Sequence, residues 1–114
     1  MFERKYNNWC FNKDVEAEVT APGLSRKILT FCDEAMCVES TFKVGAIASM
    51  HHHPHTQLTY VAKGIFSFTI GEETYVVKEG DALLKQNSVV HGAECIQEGI
   101  LVDFFTPMRE DFIK

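Results

Sequence analysis

A cluster of histidines is the feature of this sequence with the clearest chemical meaning. Four of the five histidines lie within residues 50–57, which read Met-His-His-His-Pro-His-Thr-Gln, and the fifth is His91. Neutral imidazole nitrogens bind divalent transition metals, at about 2.0–2.1 Å for zinc. An expression tag would lie at a terminus and would lack Pro54, so a tag does not explain the cluster. Because clustered imidazoles can share one ion, the cluster predicts a metal site, with a solvated histidine-rich loop as the alternative.

The spacing of the cluster indicates how the chain must run around such a metal. His51 and His53 are two residues apart, so in an extended strand their side chains share one face. Gln57 has the same parity, but an extended chain spans about 20 Å between positions 51 and 57, too far for one ion. We therefore expect a bend after His53, at Pro54, so that the amide oxygen of Gln57 returns from an adjacent strand. His91 would close the site from a distant segment.

The predicted ligand set consists of imidazole nitrogens from His51, His53 and His91 and the amide oxygen of Gln57. Because all four groups are neutral, they leave the charge of a divalent ion uncompensated, which makes the ion a stronger electrophile. Nickel, iron, zinc, manganese or cobalt could occupy such a site, and the spacing does not choose among them. If Gln57 is an ordinary polar residue at the start of a strand, three imidazoles remain.

The composition limits the classes of protein to consider. The chain has 114 residues, which suffice for one domain. No stretch approaches the roughly 18 apolar residues of a membrane helix, and no apolar run follows the N-terminal charges, so we expect neither a membrane span nor a secretory signal. The net charge of −5 disfavours nucleic acid as a partner. The four cysteines form no C-x-x-C pair, which favours reduced thiols in a cytoplasmic protein.

The elements that must position these residues are short strands. Runs rich in Val, Ile, Phe, Thr and Tyr alternate with glycines at roughly 8–12-residue spacing, which is typical of an all-β sandwich or barrel. The clearest pair is a predicted hairpin of residues 58–62 and 65–70, with a turn at Lys63 and Gly64. Further strands are predicted over residues 27–31, 36–42, 74–77 and 100–105. No segment has a helical period over three turns.

The positions around the histidines resemble the two motifs of the cupin superfamily. The first motif reads Gly, five residues, His-x-His, three or four residues, Glu, six residues, Gly. It is matched, with Gln in place of Glu, by Gly45, His51, His53, Gln57 and Gly64. The second motif is matched at Gly80 and His91, whereas its Pro, Gly and Asn are replaced by Gln86, Ser88 and Cys95. The resemblance implies a single-domain double-stranded β-helix, the cupin jelly-roll barrel, with a metal inside.

Asp103 is the second candidate for chemistry, because it interrupts the apolar run of residues 100–105. A carboxylate that faces a barrel interior is costly unless it is paired or functional. By strand alternation, Leu101 and Phe105 share its face. The alternative is an edge strand from which Asp103 faces water.

Residues 103–112 are similar to the C-terminal segment of the pectin-degradation cupins that linearise unsaturated monouronates. That family typically ends in Asp-x-Phe-Ser-Pro-x-Arg-x-Asp-Phe, and its metal motif, His-x-His-Pro-His-x-Gln, is matched within residues 51–57. The resemblance runs from about residue 26 to the C-terminus. It divides the chain into an N-terminal arm or strand over residues 1–25 and a cupin β-barrel over residues 26–114.

The resemblance implies roles for individual residues. Asp103 and Arg109 would act directly on the substrate, and Phe105 would shape the pocket. The metal would be one divalent ion held by the residues already named: His51, His53, Gln57 and His91. The enzyme would be an isomerase-type ring-opening catalyst whose substrate is a 4,5-unsaturated uronate from pectin or alginate. Its product would be a linear ketonised sugar acid.

Two other functions and one mode of assembly remain open from the sequence. A cupin of this kind could bind a sugar or another ligand without converting it, or could be an iron-dependent dioxygenase, because cupin barrels host many activities. The expected partner is a small-molecule sugar acid. A small barrel often pairs its exposed edges with a second copy, so we also expect a homodimer.

Overall fold

Eight strands form one sheet in the computed structural model, which describes residues 8–113. In chain order the strands are β1 (Glu18–Ala21), β2 (Leu24–Cys32), β3 (Ala35–Phe42), β4 (Ile47–His51), β5 (Thr56–Ile70), β6 (Glu73–Lys78), β7 (Ala82–Lys85) and β8 (His91–Thr106). A 3-10 turn, Asn12–Asp14, precedes them, and a four-residue helix, α1 (Glu110–Ile113), follows them. The all-β, single-domain prediction is confirmed.

Two long strands, β5 and β8, hold the sheet together. The main order of neighbouring strands is β1-β2-β3-β8-β5-β6, with β4 paired to β8 and β7 paired to β5. All of the pairs are antiparallel. Residues on β5 and β8 therefore have a neighbouring strand on each side over most of their length, which fixes the side chains that these strands present to the interior.

The apolar residues of the strands form two buried clusters. The larger is built from Phe42, Ala46, Val61, Phe66, Phe68, Ala93, Cys95 and Leu101. The second cluster, formed by Ile28, Phe31, Met36, Val38 and Phe105, is covered by Met108, Phe112 and Ile113 from the C-terminal segment. Arg109 lies between two of these covering residues, Met108 and Phe112, so core packing fixes the position of its backbone.

The predicted hairpin at Lys63 and Gly64 is wrong, because residues 56–70 form the single strand β5. The register between β5 and β8 shifts around Gly64, whose φ is +89°. A Cβ atom at Gly64 would lie 2.6 Å from the carbonyl oxygen of Gln97 on β8. The glycine therefore permits a bulge at which two strands approach closely, rather than a turn.

The N-terminal region contributes one strand to the sheet. β1 pairs with β2, and Glu18 lies opposite Arg26. Residues 1–7 of the predicted arm lie outside the described residues, and the boundary at residue 26 stays a prediction. Neither helical segment within residues 8–113 has the length or apolar character needed to cross a membrane.

Candidate functional site

Three histidines converge at the meeting point of β4 and β8. His51 ends β4 and lies opposite His91, the first residue of β8, while His53 follows in the connection to β5. One ring nitrogen from each histidine lies within 4.8 Å of the other two. The ring centroids of His51 and His91 are 4.3 Å apart, and those of His53 and His91 are 5.0 Å apart. The three side chains therefore form a group that could hold one metal ion.

Backbone carbonyl groups orient all three imidazole rings. In each ring, Nδ1 lies within hydrogen-bonding distance of a carbonyl oxygen two residues away in the chain. The pairs are His51 with Ser49 at 2.7 Å, His53 with His55 at 3.2 Å, and His91 with Val89 at 2.9 Å. Because a carbonyl oxygen only accepts, Nδ1 carries the proton in His51 and His91, and the lone pair of a neutral imidazole in that tautomer lies on Nε2.

His91 provides the strongest indication that the group fits a cation. Its Nε2 atom is buried and has no hydrogen-bond partner among the described residues. Burial lowers the pKa of His91 to about 4, mainly because it penalises the charged imidazolium, and it also lowers the pKa of His53. The neutral imidazole is the form that binds a metal. An otherwise unsatisfied acceptor, held neutral, is therefore directed into the site.

Gln57 has the orientation expected of a fourth ligand. Its Nε2 atom donates to Oδ1 of Asp103 at 2.9 Å, and its Oε1 atom lies 2.9 Å from Nε2 of His53. Because the ionised carboxylate only accepts, the hydrogen bond to Asp103 fixes which way the amide faces. Both ring nitrogens of His53 face an acceptor, and a neutral ring can donate to only one of them. When Nδ1 carries the proton, Nε2 of His53 and Oε1 of Gln57 are two acceptors that face each other. A cation shared between them satisfies both, so the donor set fits a metal.

Asp103 is partly buried, faces the interior and joins a polar network whose other members, Gln57 and Thr59, are buried. It lies on β8 between β3 and β5, opposite Val38 and Thr59, so the edge-strand alternative is wrong. Its Oδ1 atom accepts hydrogen bonds from Gln57 and from the Thr59 hydroxyl, the latter at 2.5 Å. Leu101 shares its face and is buried, as the alternation predicted.

Lys85 extends this network and was missed by the sequence reasoning. Its ammonium group donates to the Thr59 hydroxyl, which in turn donates to Asp103. Only 1% of Lys85 is exposed. Burial lowers the pKa of Lys85 to about 8, while the negative charge of Asp103 acts in the opposite direction. A buried cation and a partly buried carboxylate are thus connected through one hydroxyl group.

The site opens into a cavity of about 710 Å³, a volume that includes open space at its mouth. Its lining includes six of the seven residues proposed from the sequence: His51, Gln57, His91, Asp103, Phe105 and Arg109. The seventh, His53, contacts Gln57 and the ring of Phe105. The structure therefore brings all seven together, although their roles as ligands and catalysts stay predictions.

Arg109 is held firmly beside this cavity. Its Nε and Nη2 atoms donate to the carboxylate of Asp111 at 3.0 and 2.8 Å, which holds the pKa of that carboxyl below its usual range. The guanidinium carbon lies 5.2 Å from the ring centroid of Phe105 and 4.3 Å from that of Phe112. Arg109 thus places a fixed positive charge in an acidic protein.

The sheet topology and the three converging histidines are those of a cupin. The family model described as "Cupin domain" matches residues 38–104. The chain therefore belongs to the cupin family, and the prediction from the two histidine motifs is confirmed.

Within that family the chain is similar to the pectin degradation protein KdgF. It is 40% identical over 98 residues to this protein of Dickeya dadantii (strain 3937), an alignment that covers 84% of the chain and 89% of the relative. The structure of KdgF from Halomonas sp. matches with a TM-score of 0.89 and 29% identity, over 93% of this chain and 98% of that one. The structure of an RmlC-like cupin from Shewanella frigidimarina NCIMB 400 matches with a TM-score of 0.91 and 37% identity, over 94% of this chain and 96% of that one.

Proposed function

We propose that the chain is a metal-dependent cupin that converts cyclic 4,5-unsaturated monouronates, released from pectin or alginate, to linear ketonised sugar acids. The observation that carries the proposal is that one amide, that of Gln57, connects the three-histidine group to a carboxylate that lines the same cavity. Similarity to a pectin degradation protein supports the substrate class.

The residues that would hold the metal are His51, His53, Gln57 and His91. Nickel, iron, zinc, manganese or cobalt suits this set of nitrogen and oxygen donors. When bound, the ion would supply Lewis-acid stabilisation of negative charge on a substrate oxygen. The protein supplies the orientation, because backbone carbonyls fix all three rings and Asp103 fixes the amide.

The reaction needs one proton to leave an oxygen and one to reach a carbon. Ring opening removes the proton of the anomeric hydroxyl and breaks the bond between C1 and the ring oxygen, which leaves an aldehyde at C1 and an enolate across C4 and C5. Ketonisation then adds one proton to C4 and makes the former ring oxygen a ketone, so the reaction is an isomerisation. Oδ1 of Asp103 already accepts two hydrogen bonds, which leaves Oδ2 to take the proton and return it.

Arg109 and Phe105 would hold the substrate in position. The terminal N–H groups of Arg109 that do not bind Asp111 can bind the uronate carboxylate with charge-assisted hydrogen bonds. Phe105 packs against His53 and beneath the Arg109 guanidinium. It therefore forms an apolar wall between the three-histidine group and the position proposed for the uronate carboxylate.

Asp103→Asn tests this proposal. The variant should lose about 10²–10⁴-fold in kcat, because an amide cannot carry the proton, while its metal content stays unchanged. Loss of the alkene ultraviolet absorbance measures the rate, and proton NMR shows whether the ring opens. Full turnover by the variant would rule out Asp103 as the proton carrier. Binding of uronates without conversion by metal-loaded wild type would favour a binding protein, and oxygen consumption would favour a dioxygenase.

Assembly as a homodimer belongs to the same proposal. β1 and β6 end the main strand order, and a strand at the end of a sheet carries backbone groups that a second copy can pair with. Light scattering of the purified protein measures the mass in solution and decides between one copy and two.

A further inference from the structure

Arg26 places a second guanidinium beside the cavity. It lies on β2 and lines the same cavity as Arg109. Its guanidinium carbon is 3.8 Å from the ring centroid of Phe112, and 23% of its side chain is exposed. Arg26 and Arg109 thus both stack on the ring of Phe112.

Each of the two guanidinium groups is held in place by a carboxylate. Glu18, which lies opposite Arg26 in the pairing of β1 with β2, accepts a hydrogen bond from Nε of Arg26 at 2.8 Å. Asp111 has the same function for Arg109. A side chain whose rotamer is fixed before binding loses less conformational entropy when a ligand arrives. Both guanidinium groups are therefore held in a fixed orientation before a ligand binds.

Within residues 8–113, most of the hydrogen-bonding capacity of Arg26 is unused. A guanidinium has five N–H groups, and Glu18 takes only the one at Nε. Among residues 8–113, the two terminal nitrogens of Arg26 have no hydrogen-bond partner. Two adjacent nitrogens with parallel N–H groups are suited to a carboxylate or to a pair of sugar oxygens.

We propose that Arg26 is a substrate-binding residue that holds the acidic sugar together with Arg109. The inference rests on the proposed function for the identity of that sugar. No hydrogen bond, ion pair or ring contact joins Arg26 to the three histidines or to Asp103, so we expect it to stabilise the ground state and the transition state equally. Such uniform binding energy lowers KM without changing kcat. β1, through Glu18, then contributes to substrate binding.

Arg26→Met separates this role from catalysis. The variant should raise KM by about tenfold or more, the usual effect of losing charge-assisted hydrogen bonds, with kcat within about threefold of wild type. Arg26→Lys keeps the charge but lacks the paired donors, so its KM should lie between that of wild type and that of Arg26→Met. The affinity for saturated galacturonate, which is not converted and can be measured by calorimetry, should decrease from wild type to Arg26→Lys to Arg26→Met.

Lys27→Met is the matched control. Lys27 is the next residue on β2, binds Asn12 and does not line the cavity. Its replacement by methionine changes the net charge by the same amount as Arg26→Met. It should leave KM unchanged, and thermal melting checks that each variant is folded. The inference is overturned if Arg26→Met has the KM and galacturonate affinity of wild type, or if Lys27→Met raises KM as much. Absence of turnover by wild type overturns the proposed function instead, and the binding data still test Arg26.

Discussion

Gln57 donates a hydrogen bond from Nε2 to Oδ1 of Asp103 at 2.9 Å. Its other amide atom, Oε1, is turned towards His53. A single side chain thus joins the three-histidine group to the proposed proton carrier. The cupin motif usually has glutamate at this position, and a glutamate could not donate to Asp103. The amide therefore allows a proposed metal ligand and a carboxylate to be neighbours.

Gln57→Glu should keep the metal and lose activity. A carboxylate is also a metal ligand, so metal content should not fall. The new negative charge would lie against Asp103 and repel it, which disturbs the orientation of the proton carrier, and we expect kcat to fall at least about tenfold. Elemental analysis measures the metal and the ultraviolet assay measures kcat. Gln97→Glu, the same change at an exposed position, should have no effect, and wild-type kcat in Gln57→Glu would contradict the bridging role.

The convergence of the three-histidine group could be predicted from the sequence because its spacing is unusual. Histidines two apart, followed by proline and a returning glutamine, leave few other interpretations. Asp103 was predicted for a similar reason, since a carboxylate within an apolar run needs an explanation. Arg109 depended on the family resemblance, because an isolated arginine near a terminus gives no local signal.

Other parts of the fold and site could not be predicted, because they depend on contacts between distant strands. Lys85 ends a short strand, and only the pairing of β7 with β5 places it beside Thr59 in the interior. Arg26 reaches the cavity through the register of β1 and β2. Gly64 satisfies the sequence rules for a turn and for a bulge equally well, and the contact with β8 selects the bulge.

Lys85→Met should impair catalysis through Thr59. Without the ammonium group, the Thr59 hydroxyl loses its charged donor and the partly buried Asp103 carboxylate loses its nearby cation. Leaving a charge that is shielded from water without its partner is unfavourable. We expect kcat to fall about tenfold or more, and the melting temperature to decrease.

A double-mutant cycle distinguishes this orienting role from general damage. In the Asp103→Asn background, where no carboxylate remains to be oriented, Lys85→Met should reduce the residual rate much less than it does in wild type. Lys63→Met, at an exposed lysine on β5, should leave both kcat and stability unchanged. Equal effects of Lys85→Met in the two backgrounds would show that Lys85 does not act through Asp103.

Metal-free protein should become less stable as the pH falls from about 6.5 to about 4. The pKa of His91 is lowered from 6.5 to about 4 in the folded state. In this window the unfolded chain binds a proton that the folded chain does not, so the free energy of unfolding decreases with decreasing pH, by up to about 3 kcal/mol. Urea unfolding at several pH values, with chelator present, measures the slope. His91→Asn should reduce the pH dependence of the free energy of unfolding, whereas His52→Asn, a change at an exposed histidine, should not.

Gly64→Ala should destabilise the protein more than a substitution that creates the same backbone strain without a clash. Gly64 and Gly45 have φ values of +89° and +83°, and alanine at either position is strained by about 1–2 kcal/mol. At Gly45 a Cβ atom meets nothing within 4 Å, but at Gly64 it meets carbonyl oxygens and a Cα atom of β8 at 2.6 Å. The backbone of β8 must move to relieve that overlap, which adds about 1–3 kcal/mol. Chemical denaturation of Gly64→Ala and Gly45→Ala measures the difference, and equal losses would mean that the bulge is not the tight contact that joins the two long strands.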